Sequence, residues 1–124
     1  MNKILPFILL FLFTNCFAAE YQTNFNLDKF KSAQKNGKVV VIHSWNKYCT
    51  TCAKQKPILE QASKDFENVV FMSFEQTRNK DVAKLLSIDY WTTILVYKNN
   101  NEIAREIGLY KKEEIYNLIK KAFS

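Results

Sequence analysis

Residues 39–52 of this chain read VVVIHSWNKYCTTC, and the predicted class of fold follows from them. Its first four residues are a continuous β-branched run, which is typical of a strand buried on both faces of a sheet. Apolar side chains then recur at helical spacing over residues 50–66, with Cys52 and Leu59 seven residues apart. A buried strand that leads directly into a helix predicts an α/β unit in which the next strand lies parallel to the first.

The rest of the chain continues this alternation of helices and strands. Asn26 can cap a helix over Leu27–Lys35, which the turn pair Asn36-Gly37 ends. Further strands are expected over residues 69–74, 93–98 and 102–107, with a short helix after Asn79 and a closing helix over 113–123. The asparagines at 99–101 predict a turn that joins the last two strands as an antiparallel hairpin. We therefore predict an α/β domain with a mixed central sheet and helices on both faces, a three-layer α/β/α sandwich.

Composition narrows the class of protein. The chain has 124 residues, of which 48% are hydrophobic, enough for one domain with a core. Its two glycines and two prolines exclude collagen-like and proline-rich low-complexity chains. The formal net charge is +6, but the lysines are spread along the chain and interrupted by acids. Because nucleic-acid binding favours clustered basic patches, we expect no nucleic-acid partner.

The first 18 residues have the pattern of a secretory signal peptide. A short positive start, Met1 to Lys3, precedes an apolar run over residues 4–13, and small residues follow at Cys16 and Ala18. We predict cleavage near Ala18 or Ala19, which leaves residues 19–124 as the domain. An uncleaved anchor, the only membrane contact we expect, and a lipid-modified Cys16 are the alternatives.

Export would place the protein where disulfides form and persist. This is the periplasm if the source is a Gram-negative bacterium. Removal of residues 1–18 also removes Cys16, and one pair of cysteines, Cys49 and Cys52, remains.

That pair stands where a helix begins, and this position predicts redox chemistry. The reactive species is the thiolate, and a helix N-terminus lowers the pKa of a thiol through its unpaired N–H groups. Cys49 should be partly exposed at this terminus, whereas Cys52 should be buried one turn later. We expect Cys49 to be the nucleophile and Cys52 the thiol that resolves the mixed disulfide.

Three other interpretations of the pair remain open. A structural disulfide would close a loop of only four residues and would remove little entropy from the unfolded chain. A zinc site needs four ligands, whereas residues 19–124 offer two cysteines and one histidine. Two inert buried thiols are the third possibility. We assign no metal site and no dissociable cofactor, and we keep a non-enzymatic metal-binding or interaction module as the alternative function.

The chain resembles the thioredoxin-like family. The residues that carry the resemblance are the strand at 39–42, Trp45, the motif at 48–52, Pro57, and the stretch 94–99 that leads to Gly108. The resemblance implies a thioredoxin-like fold and a thiol–disulfide oxidoreductase whose redox group is the Cys49–Cys52 pair. It also implies protein thiols and disulfides as partners, with another protein that resets the redox state.

Two departures from the family pattern lie close to the cysteines. Tyr48 stands where the family usually has a tryptophan before the first cysteine. His43 lies six residues before Cys49, where thioredoxins carry a buried acid. An imidazole there is expected either to tune Cys52 and move its proton or to be a hydrogen-bonded packing residue.

The third departure is Thr92, at the position of the family's cis-proline. The family uses this loop to dock the substrate backbone. Because a cis bond without proline costs about 3–4 kcal/mol, we expect the Trp91–Thr92 bond to be trans. Trp91 would then offer an apolar platform, and Thr92 a hydrogen bond to the Cys49 thiolate. The alternatives are a loop shaped only by its neighbours and space for a metal at the dithiol.

The direction of exchange is less constrained. Thr50-Thr51 matches neither the Gly-Pro of reducing thioredoxins nor the Pro-His of strong oxidases. In a chain of 124 residues we also do not expect the added helical domain of bacterial oxidases, so by analogy we slightly favour a reductase.

Overall fold

The computed structural model describes residues 23–124, and the predicted signal peptide at residues 1–18 lies outside them, as does Cys16. The elements in chain order are α1 Leu27–Lys35, β1 Val39–Trp45, α2 Thr50–Asp65, β2 Val69–Glu75, α3 Lys80–Leu85, β3 Thr93–Lys98, β4 Asn101–Ile107 and α4 Lys112–Lys120, followed by a 3₁₀ turn over Lys121–Phe123. Within the described part of the chain, no helix is long and apolar enough to span a bilayer.

The four strands form one mixed sheet in the order β2-β1-β3-β4. β1 pairs with β2 in parallel, as the strand–helix–strand pattern predicts, and Trp45 lies opposite Glu75 at the end of the register. β3 is antiparallel to both β1 and β4. Because β1 lies between β2 and β3, the residues that follow it are flanked by the end of β2 and the start of β3.

Each face of the sheet is covered by helices, which confirms the three-layer architecture. Every residue of β1 is buried, as the continuous β-branched run predicts. One core contains Val39 and Val41 together with buried residues of α2 and α4. The other contains Val40 and Ile42 with residues of α1 and α3. His43 follows the alternation of the first set, so its side chain lies on the α2 face of the sheet.

The predicted elements agree with the structure, with small differences at their ends. Asn26 caps α1, because its side chain accepts a hydrogen bond from the N–H of Lys29. Both β1 and β2 run further than their apolar runs, to Trp45 and Glu75. Asn79 precedes α3, but its side chain makes no cap hydrogen bond. Its Nδ2 instead donates to the backbone carbonyl of Glu75 at 2.9 Å.

Candidate active site

The two cysteines of the CTTC motif lie at the N-terminal end of α2. Cys49 is the N-cap residue of this helix and Cys52 lies in its first turn. Their side chains form a disulfide, and their Cα atoms are 5.2 Å apart. The backbone N–H of Cys52 donates to Sγ of Cys49 over 3.1 Å. This N–H is one of the groups that have no partner inside a helix, and after reduction it favours a thiolate at Cys49.

The two cysteines differ in their access to solvent. Cys49 is partly exposed, whereas Cys52 is only 3% exposed. Both exposures agree with those expected from the sequence, because Cys52 continues the buried stripe of α2 toward Leu59 and Ala62. A partner thiol or disulfide therefore reaches Cys49 first. The roles of nucleophile and resolving thiol remain predictions.

A cleft of about 770 Å³ opens beside the disulfide, at the ends of β1 and β2. Both cysteines line it, together with Trp45, Asn46, Glu75 and Arg78. The carboxyl ends of parallel strands are where open α/β sheets bind their ligands. The cleft therefore lies where the fold leaves room for a partner of the cysteines.

One wall of this cleft carries a buried carboxylate. Glu75 is almost fully buried, and its Oε2 lies 3.2 Å from Nε of Arg78, whose side chain is 71% exposed. Its Oε1 accepts from Nδ2 of Asn46 and from Oγ1 of Thr77, both at 3.4 Å. A carboxylate out of contact with water is stable only with such partners. This wall therefore carries an ion pair in which Glu75 is buried and Arg78 is exposed to solvent.

His43 is a residue of β1, and Gln55 of α2 connects it to Thr92, which directly precedes β3. Nε2 of His43 lies 2.7 Å from Oε1 of Gln55. The amide nitrogen of Gln55 donates to two backbone carbonyls, that of Thr92 at 3.1 Å and that of Leu109 at 2.7 Å. Because these carbonyls fix which end of the amide is nitrogen, Oε1 faces the imidazole, and Nε2 of His43 must carry the hydrogen. A proton taken up by the neutral ring therefore goes to Nδ1.

Burial lowers the pKa of His43 from 6.5 to about 4, and the hydrogen bond with Gln55 only partly offsets this effect. The imidazole is consequently neutral at physiological pH. A neutral ring can accept a proton, as the sequence-based hypothesis requires, and it is also a packed, hydrogen-bonded residue. His43 remains a candidate for proton transfer with Cys52.

Thr92 has an unusual backbone conformation. Its φ is +66°, and all peptide bonds of the described residues are trans, including Trp91–Thr92, as expected from the missing proline. A β-branched residue in this region carries strain of roughly 1–3 kcal/mol. The hydrogen bonds of Thr92 among the described residues all run through its backbone: its N–H donates to Ser44, and its carbonyl accepts from Gly108 and Gln55. The disulfide form thus shows no bond between Thr92 and Cys49.

The aromatic residues predicted to surround the cysteines are exposed. Tyr48 is 77% exposed and Trp91 38% exposed, so each presents an apolar face to solvent. Nζ of Lys47 lies 5.0 Å from the ring centre of Tyr48. Residues 23–124 hold no group of three or more His, Cys, Asp or Glu side chains arranged to bind a metal ion.

Two residues of the site were missed from the sequence. Gln55 lies within the predicted helix, and the signal that distinguishes it is a long polar residue among the buried positions Cys52, Leu59 and Ala62. Glu75 directly follows the apolar run of a strand that lies parallel to β1. The carboxyl ends of parallel strands lie side by side, so its position at the end of β2 could have placed Glu75 near the cysteines that follow β1.

Comparisons with known proteins agree with this architecture. The profile of the thioredoxin family matches residues 21–121. A thioredoxin H-type from Fagopyrum esculentum is 26% identical over 73% of this chain and 78% of its own. A thioredoxin from Mycoplasma genitalium is 29% identical over 74% of this chain and 87% of its own.

Among solved structures, Trxlp from Edwardsiella tarda superposes with a TM-score of 0.73. It is 18% identical, over 77% of this chain and 94% of that one, so this likeness shows the fold alone. Since the family profile covers almost all of the described domain and the Cys49–Cys52 disulfide lies at the start of a helix inside it, the chain belongs to the thioredoxin family and is a thiol–disulfide oxidoreductase.

Proposed function

We propose that this protein is an exported thiol–disulfide oxidoreductase that reduces disulfides of protein substrates, with Cys49 as the nucleophile and Cys52 as the resolving thiol. The observation that carries the proposal is the asymmetry of the pair. Cys49 is partly exposed at the cap of α2, and its sulfur accepts the N–H of Cys52. Cys52 is buried and can be reached from Cys49 but not readily by a large substrate.

The exchange then proceeds in two balanced steps. The Cys49 thiolate attacks one sulfur of a substrate disulfide, forming a mixed disulfide and releasing the other substrate sulfur as a thiolate. Cys52 loses its proton and attacks Sγ of Cys49, which forms the Cys49–Cys52 disulfide and releases the second substrate thiolate. Two electrons pass from the enzyme to the substrate, which leaves with two thiols once protonated. The structure corresponds to the oxidised enzyme at the end of this sequence.

The reducing direction is supported by what surrounds Cys49. A dithiol becomes a strong oxidant when its reduced form is strongly stabilised. Thr50 and Thr51 place no charged or imidazole group between the cysteines. The stabilisation of a Cys49 thiolate then comes mainly from the helix terminus and the N–H of Cys52. This is weaker than the stabilisation that an added cation would give.

Export is supported by the signal-peptide pattern of residues 1–18. Protein disulfides are abundant outside the cytosol, so a reductase there meets many potential substrates. It must also be returned to its dithiol form, which requires a second protein that donates two electrons. The substrates are protein thiols and disulfides, and the recycling partner is a protein dithiol.

The proposal is tested with dithiothreitol-driven reduction of insulin and with the reduction potential of the pair. We expect Cys49→Ser to abolish insulin reduction, and Cys52→Ser to accumulate a mixed disulfide that mass spectrometry detects. A potential near −270 mV, about that of thioredoxin, supports the reducing direction, whereas one near −120 mV, about that of a strong oxidant, contradicts it. Stoichiometric bound metal without exchange activity would favour the non-enzymatic module instead.

A further inference from the structure

Gln55 is a fully buried polar side chain inside the catalytic helix. It lies three residues after Cys52, on the same face of α2. Its amide makes three hydrogen bonds of 2.7–3.1 Å, to the ring of His43 and to the carbonyls of Thr92 and Leu109. Burial of an amide is unfavourable unless its polar atoms are paired, and here both the oxygen and the nitrogen are.

Trp91 and Thr92 form a turn, called the Thr92 turn below. This turn depends on hydrogen bonds because the backbone conformation of Thr92 is strained. Its backbone is tied at three points: to Ser44 at 2.9 Å, to Gly108 at 3.2 Å and to Gln55 at 3.1 Å. Two of these three hydrogen bonds, to Ser44 and to Gly108, join backbone groups. The third comes from a side chain of the helix that carries both cysteines. Gln55 thus connects the strained turn to the helix that carries the redox pair.

We propose that Gln55 is a positioning residue for thiol–disulfide exchange: its amide holds the Thr92 turn in its left-handed conformation against α2, and so fixes where Trp91 and Thr92 stand relative to the cysteine pair. The inference rests on the exchange activity of the protein but not on the direction of that exchange. It assigns no contact between Gln55 and the substrate. Its effect passes through the loop.

The experiment compares Gln55→Met in the wild-type chain and in a Thr92→Gly background. Methionine conserves the volume of the side chain but cannot donate to Thr92. In the wild-type background we expect the rate constant of insulin reduction to fall about tenfold, because the turn relaxes and displaces the loop. Glycine adopts a positive φ without strain. In the Thr92→Gly background the same substitution should therefore lower the rate less than about twofold.

Stability separates positioning from a structural role. Gln55→Met should lower the free energy of unfolding in both backgrounds, because His43 and the Leu109 carbonyl lose their partner in each. A structural role would therefore lower the exchange rate equally in both, and equal losses per folded molecule would overturn the proposal. Gln61→Met is the matched control: it makes the same change on the exposed side of α2, and it should leave exchange unchanged. If the wild-type chain itself shows no exchange, the proposed function fails and this inference fails with it, whereas exchange by the wild type with equal losses in both backgrounds overturns this inference alone.

A second variant gives a pH profile and keeps the test available if Gln55→Met does not fold. In Gln55→Glu, the protonated acid still donates one hydrogen to a carbonyl, whereas the ionised form donates none and repels both. The exchange rate relative to wild type should therefore fall at least about threefold as the pH rises through the titration of this buried acid. Gln61→Glu should show a flat ratio. A flat ratio for Gln55→Glu would contradict the proposal.

Discussion

The two flanks of β1 beside the cysteine pair are built from different kinds of side chain. On the β3 flank, His43, Gln55 and the backbone of Thr92 form a buried and uncharged network with hydrogen bonds of 2.7–3.1 Å. On the β2 flank, Glu75 pairs with Arg78 in the wall of an open cleft. One flank excludes solvent and fixes geometry, while the other admits solvent and carries charge.

The contrast between the two flanks shows how a small domain can hold a reactive pair firmly and still leave it accessible to solvent. Neutral hydrogen bonds in a dry environment are strong and directional, so they suit a loop that must stay in a strained conformation. A charged pair with one member in water is weaker and depends on salt. The stability of the β3 flank should therefore respond to the protonation of His43, and that of the β2 flank to ionic strength.

The largest expected effect comes from His43 and concerns acid stability. The pKa of His43 is about 4 in the folded chain, against 6.5 for an ordinary histidine. Between these values the unfolded chain holds a proton that the folded chain lacks. The contribution to stability is therefore fully present above pH 6.5 and is lost as the pH falls to 4, a change of about 3 kcal/mol in the free energy of unfolding.

The measurement is urea unfolding of the oxidised protein at several pH values between 4 and 7. His43→Gln removes the titrating group and keeps a polar side chain of similar length. Subtracting its unfolding free energies from those of the wild type cancels the titration of the carboxylates that both share. If the difference stays constant over this range, the ring is not held neutral by burial, and the contrast between the two flanks fails on this side.

A smaller effect is expected from Arg78 on the β2 flank. Among residues 23–124, Arg78→Ala leaves the buried carboxylate of Glu75 with the two hydrogen bonds of 3.4 Å from Asn46 and Thr77. Because Arg78 itself is mostly exposed, we expect a loss of about 1 kcal/mol in the free energy of unfolding at low salt. In 1 M NaCl the loss should shrink, since salt screens the pair at the cleft.

Lys80→Ala is the control for this prediction. Lys80 is an exposed cation two residues along the chain, and within residues 23–124 it forms no ion pair. Its replacement should change the free energy of unfolding by less than about 0.5 kcal/mol at either salt concentration. A loss for Arg78→Ala that salt leaves unchanged would show that the side chain acts through packing and not through its charge.

Local sequence signals predicted the cysteine pair better than the two flanks beside it. The helix-capping position of Cys49 and the burial of Cys52 follow from spacing within one helix, and both are confirmed. The contact of Gln55 with Thr92 joins residues 37 positions apart. No pattern within α2 specifies such a partner, since it depends on how β3 packs beside β1.

The same reason explains the strand ends. Glu75 extends β2 because Trp45 pairs with it across the sheet, whereas its own side chain would favour a loop. Likewise, asparagine is a common helix-capping residue, but the side chain of Asn79 instead donates a hydrogen bond from Nδ2 to the backbone carbonyl of Glu75. Tertiary partners outweigh local preference at both positions, and both lie at the edge that holds the redox pair.

The smallest expected effect, and the one that tests the strain itself, is a gain in stability for Thr92→Gly. Removal of the β-branched side chain releases the strain at a φ of +66°, but glycine also gives the unfolded chain more freedom, so the net gain should be only about 0.5 kcal/mol. Thr93→Gly is the matched control, because Thr93 is buried in extended β3 and donates its Oγ1 hydrogen to the Tyr90 carbonyl at 2.6 Å. There the same substitution should destabilise the fold. Urea unfolding of both variants decides the matter: a loss of stability for Thr92→Gly as large as that for Thr93→Gly would mean that the turn carries no strain for Gln55 to hold.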